Sequence, residues 1–143
     1  MAEWNVEEFR KGLEIDQTKL DEELATQASR YLFVAEKAVT ADMQHDLFKA
    51  QLSELEASMD ATVRAEAAKA GDKKPTEAAI RAEIERRPDY QKAVRHLIEL
   101  RARKEVMKSL RESWYMRKDM LIQLAIKQRS ELESTLAGTV KMA

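Results

Sequence analysis

An all-α chain is what this sequence predicts: a long antiparallel helical hairpin with a short connecting helix. Three observations carry that expectation. Only 3 Gly and 2 Pro interrupt 143 residues, and runs of β-branched residues are absent, so few positions resist helical backbone. Apolar residues recur at steps of three and four over most of the length, the period of one helical face. Leu100, Met107, Trp114 and Leu121 stand seven residues apart, a heptad seam that needs a partner helix.

Taken in order, Asn5 reads as the cap of a short helix, Val6 to Lys11, which Gly12 closes. From about Thr18 to Ala70 no residue breaks a helix. Its apolar stripe is Leu20, Leu24, Ala28, Tyr31, Ala35, Val39, Met43 and Leu47, and it resumes one position over at Phe48, Leu52, Leu55, Met59 and Val63. The shift implies either a slow drift of the buried face or a break near Thr40 to Asp42. Gly71 stops this helix, and Asp72-Lys73-Lys74-Pro75 makes a basic turn. Thr76 is an N-cap with Glu77 in the first turn, Ala78 to Arg87 forms a short helix, and Pro88 ends it; Pro88 or Asp89 opens the last long helix.

Leu97, Leu110 and Leu124 flank the heptad seam. A lone hairpin covers one side of each stripe, and 36% charged residues with 6% aromatic leave little material for a thick core. The expectation is therefore a homo-oligomer assembled through the C-terminal helix, with Leu100, Met107, Leu110, Trp114, Leu121 and Leu124 as the contact residues. Pairing of the seam with the first long helix alone is the alternative. The chain reads as a single helical domain, 1–143, made of an acidic half (1–70), a basic turn (71–75) and a basic half (76–143).

The sorting of charge by sign points to function. Residues 1–70 carry 8 Lys and Arg against 15 Asp and Glu, and residues 71–143 carry 17 against 11, although the whole chain has a net charge of only −1. A solvated helix needs charge but no such sorting, so the second half is expected to meet an anionic partner, nucleic acid first. From Lys92 to Lys118 nine cations, among them Arg101, Arg103, Lys104, Arg111, Arg117 and Lys118, face only Glu99, Glu105 and Glu112. Such a segment either follows a phosphate backbone or is a solvated face paired with acids of the neighbouring helix. Trp114 lies on the seam and reads as core. Tyr115, on its flank, is the aromatic candidate for stacking on bases.

Enzymatic readings find little support. Asp42, His45 and Asp46 share one helical face at a spacing that could hold a metal, but they read as a solvated trio; His96 has no paired nucleophile or carboxylate, and no Gly-rich phosphate loop occurs. No catalytic residue, cofactor or metal is expected. With no Cys, no apolar run near the ~20 residues of a bilayer span, and an acidic Met1-Ala2-Glu3-Trp4 start, the expectation is a cytoplasmic protein without a membrane partner.

Ile15-Asp16-Gln17-Thr18-Lys19-Leu20, followed three turns later by Tyr31, resembles the opening of the UvsY family of phage recombination mediators, which are of similar length and run as a charged helix into a Gly-containing basic turn. Thr76-Glu77-Ala78-Ala79-Ile80, Arg87-Pro88-Asp89-Tyr90-Gln91 and the run from Arg117 to Leu124 are similar to a phage pattern. The resemblance implies a ring-forming homo-oligomer that binds single-stranded DNA, helps displace single-strand-binding protein and loads a RecA-like recombinase. By position it puts Arg64, Lys69, Lys73 and Lys74 at the DNA, joined by Arg101, Arg103 and Lys104 from the charge pattern. A non-enzymatic coiled-coil scaffold or adaptor of a phage is the competing reading.

Overall fold

The computed structural model describes residues 6–71 and 73–142, with side chains through residue 139. The Asn5 cap, the Met1–Trp4 start and Asp72 of the turn lie outside the described residues. Among the described residues four α-helices follow one another: α1 (Val6–Lys11), α2 (Leu20–Lys69), α3 (Glu77–Arg86) and α4 (Pro88–Met142), with a 3-10 turn at Gln17–Lys19 leading into α2. The two long helices, α2 and α4, pack against each other antiparallel, so that Glu23 meets Arg117, Asp42 meets Lys104 and Phe48 meets His96. Among the described residues no helix is long and apolar enough to cross a membrane.

α2 runs unbroken through Thr40–Asp42, so the shifted stripe is a drift of the buried face. Leu20, Gln27, Val34 and Ala41 are buried at seven-residue spacing in its first part, and Ala38, His45, Leu52 and Met59 in its second. These are the two columns of one heptad seam, the inner one giving way to the next as an α-helix of 3.6 residues per turn slips against a repeat of 3.5. Leu24, Val39, Met43 and Leu47, assigned to the stripe from sequence, are exposed instead. The buried column recruits Gln27 and His45, and a count of apolar residues passes over both.

Contacts divide the chain into two compact units. One takes the chain through Val39 and again from Val106, the other Thr40–Glu105. In the first, Leu20, Val34, Ala38, Met107, Leu110, Trp114 and Leu121 are buried. α1 docks there, with the Phe9 ring 5.8 Å from Phe33 and the Trp114 indole N–H donating to the Phe9 carbonyl at 3.3 Å. Gly12 permits the approach, because a Cβ on it would stand 2.9 Å from the Trp114 ring. The Asp16 carboxylate caps the 3-10 turn, accepting from the Thr18 hydroxyl at 2.6 Å and the Thr18 N–H at 3.0 Å, and these two bonds hold it below the usual carboxylate range.

In the second unit, Leu52, Met59, Val63, Ile80, Ile84 and Tyr90 form a core, with Leu55, Ala93, Val94 and Leu97 packed against it. α2 ends where Gly71 adopts φ 69°, a left-handed conformation that glycine takes without strain. Thr76 caps α3 by accepting from the Ala79 N–H at 3.1 Å. Arg87 is extended at the far end, and Pro88 then opens α4, a position where its missing N–H costs nothing.

Candidate nucleic-acid interface

The cations of the second unit fall into two kinds. Arg64 is committed: its Nε donates to Asp60 at 2.7 Å and its Nη2 to Glu77 at 2.7 Å, which pins α3 to α2. Those hydrogen bonds, Asp60 first, push the guanidinium further above its already high ordinary value. Lys104 is held by Asp42 at 3.1 Å, and that bond raises it as well. Arg87 reaches Glu66 at 2.8 Å, and Arg81 binds Glu85 at 2.9 Å and the Tyr90 hydroxyl at 2.8 Å.

Lys69, Lys73, Lys74 and Arg101 are exposed and Arg103 is half-buried, and none of them has an acid within ion-pair distance among the described residues. Lys69 closes α2, where cations suit the negative end of the helix dipole, and Lys73 and Lys74 follow in the turn. Arg101 and Arg103 belong to a separate stretch, since roughly 20 Å of α4 at 1.5 Å per residue lies between Pro88 and Arg101. Lys92 and Arg95, exposed and likewise without an acid partner among the described residues, lie along that stretch. The basic run from Lys92 is the sequence signal for them. On the α2–α3 side a shallow pocket is lined by Glu56, Asp60, Glu77 and Arg81, a wall of carboxylates that repels phosphate beside Arg64.

Several sequence expectations land elsewhere. Arg117, one of the nine cations of the basic segment, is 2% exposed and spent inside the first unit. Leu100, Met107, Leu110, Trp114 and Leu121, expected to meet another copy, are already covered within the chain, and Leu124 is half-buried. The seam is filled by α2 because the drifting α2 columns stay in step with it. The apolar side chains of α4 left in water are others, including Met116, Met120, Ile126, Leu132 and Leu136. Of Asp42, His45 and Asp46 the two carboxylates are solvated as expected, but His45 is 6% exposed; its Nδ1 lies 3.0 Å from Asp46, and Asp42 pairs with Lys104. Among the described residues no hydrogen-bond partner meets the buried His45 Nε2. His96 packs edge-on against Phe48, centroids 4.6 Å apart.

The aromatic pair separates as its positions on the seam dictate. Trp114 is buried, 3% exposed, while Tyr115 is 52% exposed, its ring 6.0 Å from Tyr31 and the Lys118 ammonium 4.0 Å from its centroid. Compared with protein-family models, curated proteins and solved structures, the chain finds no match.

Proposed function

We propose that this chain is a recombination mediator: a non-enzymatic protein that holds single-stranded DNA by its phosphates, with little sequence preference, and loads a RecA-like recombinase against single-strand-binding protein in phage recombination and repair. The observation that carries the reading is the set of cations that meet no acid among the described residues: Lys69, Lys73, Lys74, Arg101 and Arg103, with Lys92 and Arg95 along α4. Arginine and lysine side chains without acid partners are free to exchange their counterions for phosphates, which makes affinity fall steeply with salt. Arg64 and Lys104 contribute less, because a phosphate must first compete with the carboxylates they already hold. The resemblance at Ile15–Leu20 and Tyr31 supports the recombination setting and a ring-like homo-oligomer in the host cytoplasm.

Titration of a labelled single-stranded oligonucleotide with the full chain tests the DNA step. Binding at low salt that weakens steeply toward moderate salt is expected, and the double variant Lys73→Ala/Lys74→Ala lowers affinity for all sequences alike and flattens the salt slope by about two. Absence of binding at low salt, or binding indifferent to salt, sinks the reading. Strand exchange by a RecA-like recombinase on DNA covered with single-strand-binding protein tests the loading step; acceleration by the chain is expected.

The ion pairs of Lys104 with Asp42 and Arg87 with Glu66, together with Met116, Met120, Leu132 and Leu136 left in water, favour a second reading as a coiled-coil scaffold or adaptor. Assembly without any nucleic-acid affinity is the outcome that selects it.

A further inference from the structure

We propose that Tyr115, with Tyr31 and Lys118, forms a stacking seat for one base of a single-stranded nucleic acid. This rests on the DNA-binding reading above and adds to it a contact with base in place of phosphate. The seat belongs to the first unit, which holds none of the cations named for that reading.

Tyr115 stands half in water, next to Trp114 and two residues before Arg117, both of which the fold has buried. Two side chains rest against its ring. Tyr31 from α2 lies 6.0 Å away at a 60° tilt, and Lys118, one turn on, holds its ammonium 4.0 Å from the ring centroid. The Tyr115 side chain, beside which it rests, raises Lys118 above its ordinary value. A ring held on a long helix loses little rotamer freedom when a ligand settles on it.

The ground around the pair suits a flat ligand. One turn either side of Tyr31 the α2 residues are Ala28 and Ala35, while Gln27 and Val34 are turned into the core, so the surface one turn before and after Tyr31 carries only methyl groups. Arg111 and Lys118 are half-buried one turn before and after Tyr115, whereas the acids at comparable spacing, Glu112 and Asp119, are exposed. Positive charge therefore lines the inner edge of the seat and negative charge the outer edge.

A base stacked on tyrosine is held more firmly than an ammonium resting on an exposed ring. An incoming base thus displaces Lys118 from Tyr115, and the freed ammonium remains within a side-chain length of the phosphate on the same nucleotide. Trp114 cannot take this part, since its ring is covered and its N–H is committed to Phe9.

The test compares a labelled oligothymidylate with an abasic strand of equal length, each titrated with the full chain at one salt concentration. The wild-type chain is expected to bind the strand with bases about tenfold more tightly. Tyr115→Ala removes that preference while leaving affinity for the abasic strand unchanged, and Tyr115→Phe keeps it. Equal wild-type binding of the two strands overturns the seat and leaves the phosphate-binding reading standing. Loss of affinity for both strands alike in Tyr115→Ala also overturns it, because the residue then acts on folding or charge. Binding of neither strand by the wild-type chain overturns both.

Discussion

Arg117 donates from Nε to the Leu13 carbonyl at 3.0 Å, from Nη1 to Gln27 at 2.9 Å, and from Nη2 to the Glu14 carbonyl at 2.9 Å and to the Glu23 carboxylate. One guanidinium thus ties the segment before α2, α2 itself and α4 together. Removing it takes a donor from buried Gln27, from two carbonyls and from the part-buried Glu23 carboxylate, which keeps Arg30 at 3.6 Å, so Arg117→Met is expected to cost about 1–3 kcal/mol, read as a lowered urea midpoint. Arg117→Lys recovers little, because an ammonium cannot spread over four acceptors as a planar fork does. Tyr90 gives the second unit a dependence on alkaline pH. Burial first, and then its hydrogen bond to Glu56 at 3.1 Å, raise the phenol above its ordinary value. A raised group stabilises the fold in full below its unfolded value, about 10 for tyrosine, and loses that contribution as pH rises through the folded one. The urea midpoint is therefore expected to fall on the alkaline side of about pH 10, and Tyr90→Phe to flatten that limb. An unchanged slope in the variant contradicts the assignment.

Among the elements, the helices were legible because their signals are local. Gly71, Thr76 and Pro88 mark ends by backbone chemistry that needs no tertiary partner, and all three act where the sequence places them. The buried face of α2 was not legible to the same degree. Its inner columns hold Gln27, Ala38, Ala41 and His45, while Leu32, Val39, Met43 and Leu47 face water, so apolar spacing selects the wrong column over the first part of the helix and the right one from Leu52 to Val63. On α4 the seam was visible, but a heptad pattern does not say whose helix fills it. Because Leu110 and Leu121 are covered within the chain, Leu110→Ala with Leu121→Ala is expected to destabilise the fold by about 2–5 kcal/mol per site. Thermal unfolding and sedimentation together distinguish this from loss of an interface: a particle of lower mass with unchanged melting temperature contradicts it.

For the molecule as a whole, the division of charge by sign has an internal use. Glu23 with Arg117, Asp42 with Lys104, Glu56 with Arg81 and Glu66 with Arg87 each join an acid of the first half to a cation of the second. Exposed pairs contribute little stability singly, but slipping α2 along α4 would set Glu23 and Asp42 against the wrong neighbours, so their two pairs favour one register. That explains why the candidate interface was only partly readable. Among the described residues Lys69, Lys73, Lys74 and Arg101 meet no acid, whereas the commitments of Lys104 and Arg117 depend on a register that the order of residues does not supply, and that of Arg64 to Glu77 on how α3 folds back. Tyr115 could be singled out beside Trp114 because adjacent residues on a helix point about 100° apart, and one of them had to leave the seam.

The close approach of Gly12 to Trp114 turns that indole into an optical gauge. Its ring lies beneath the end of α1 and its N–H is held by Phe9, so its emission colour follows whether α1 is seated. Trp4 is the chain's other tryptophan, and replacing it with phenylalanine isolates the signal. A methyl group at position 12 then serves as a wedge, and the wavelength shift it produces calibrates how far the N-terminal clasp has opened.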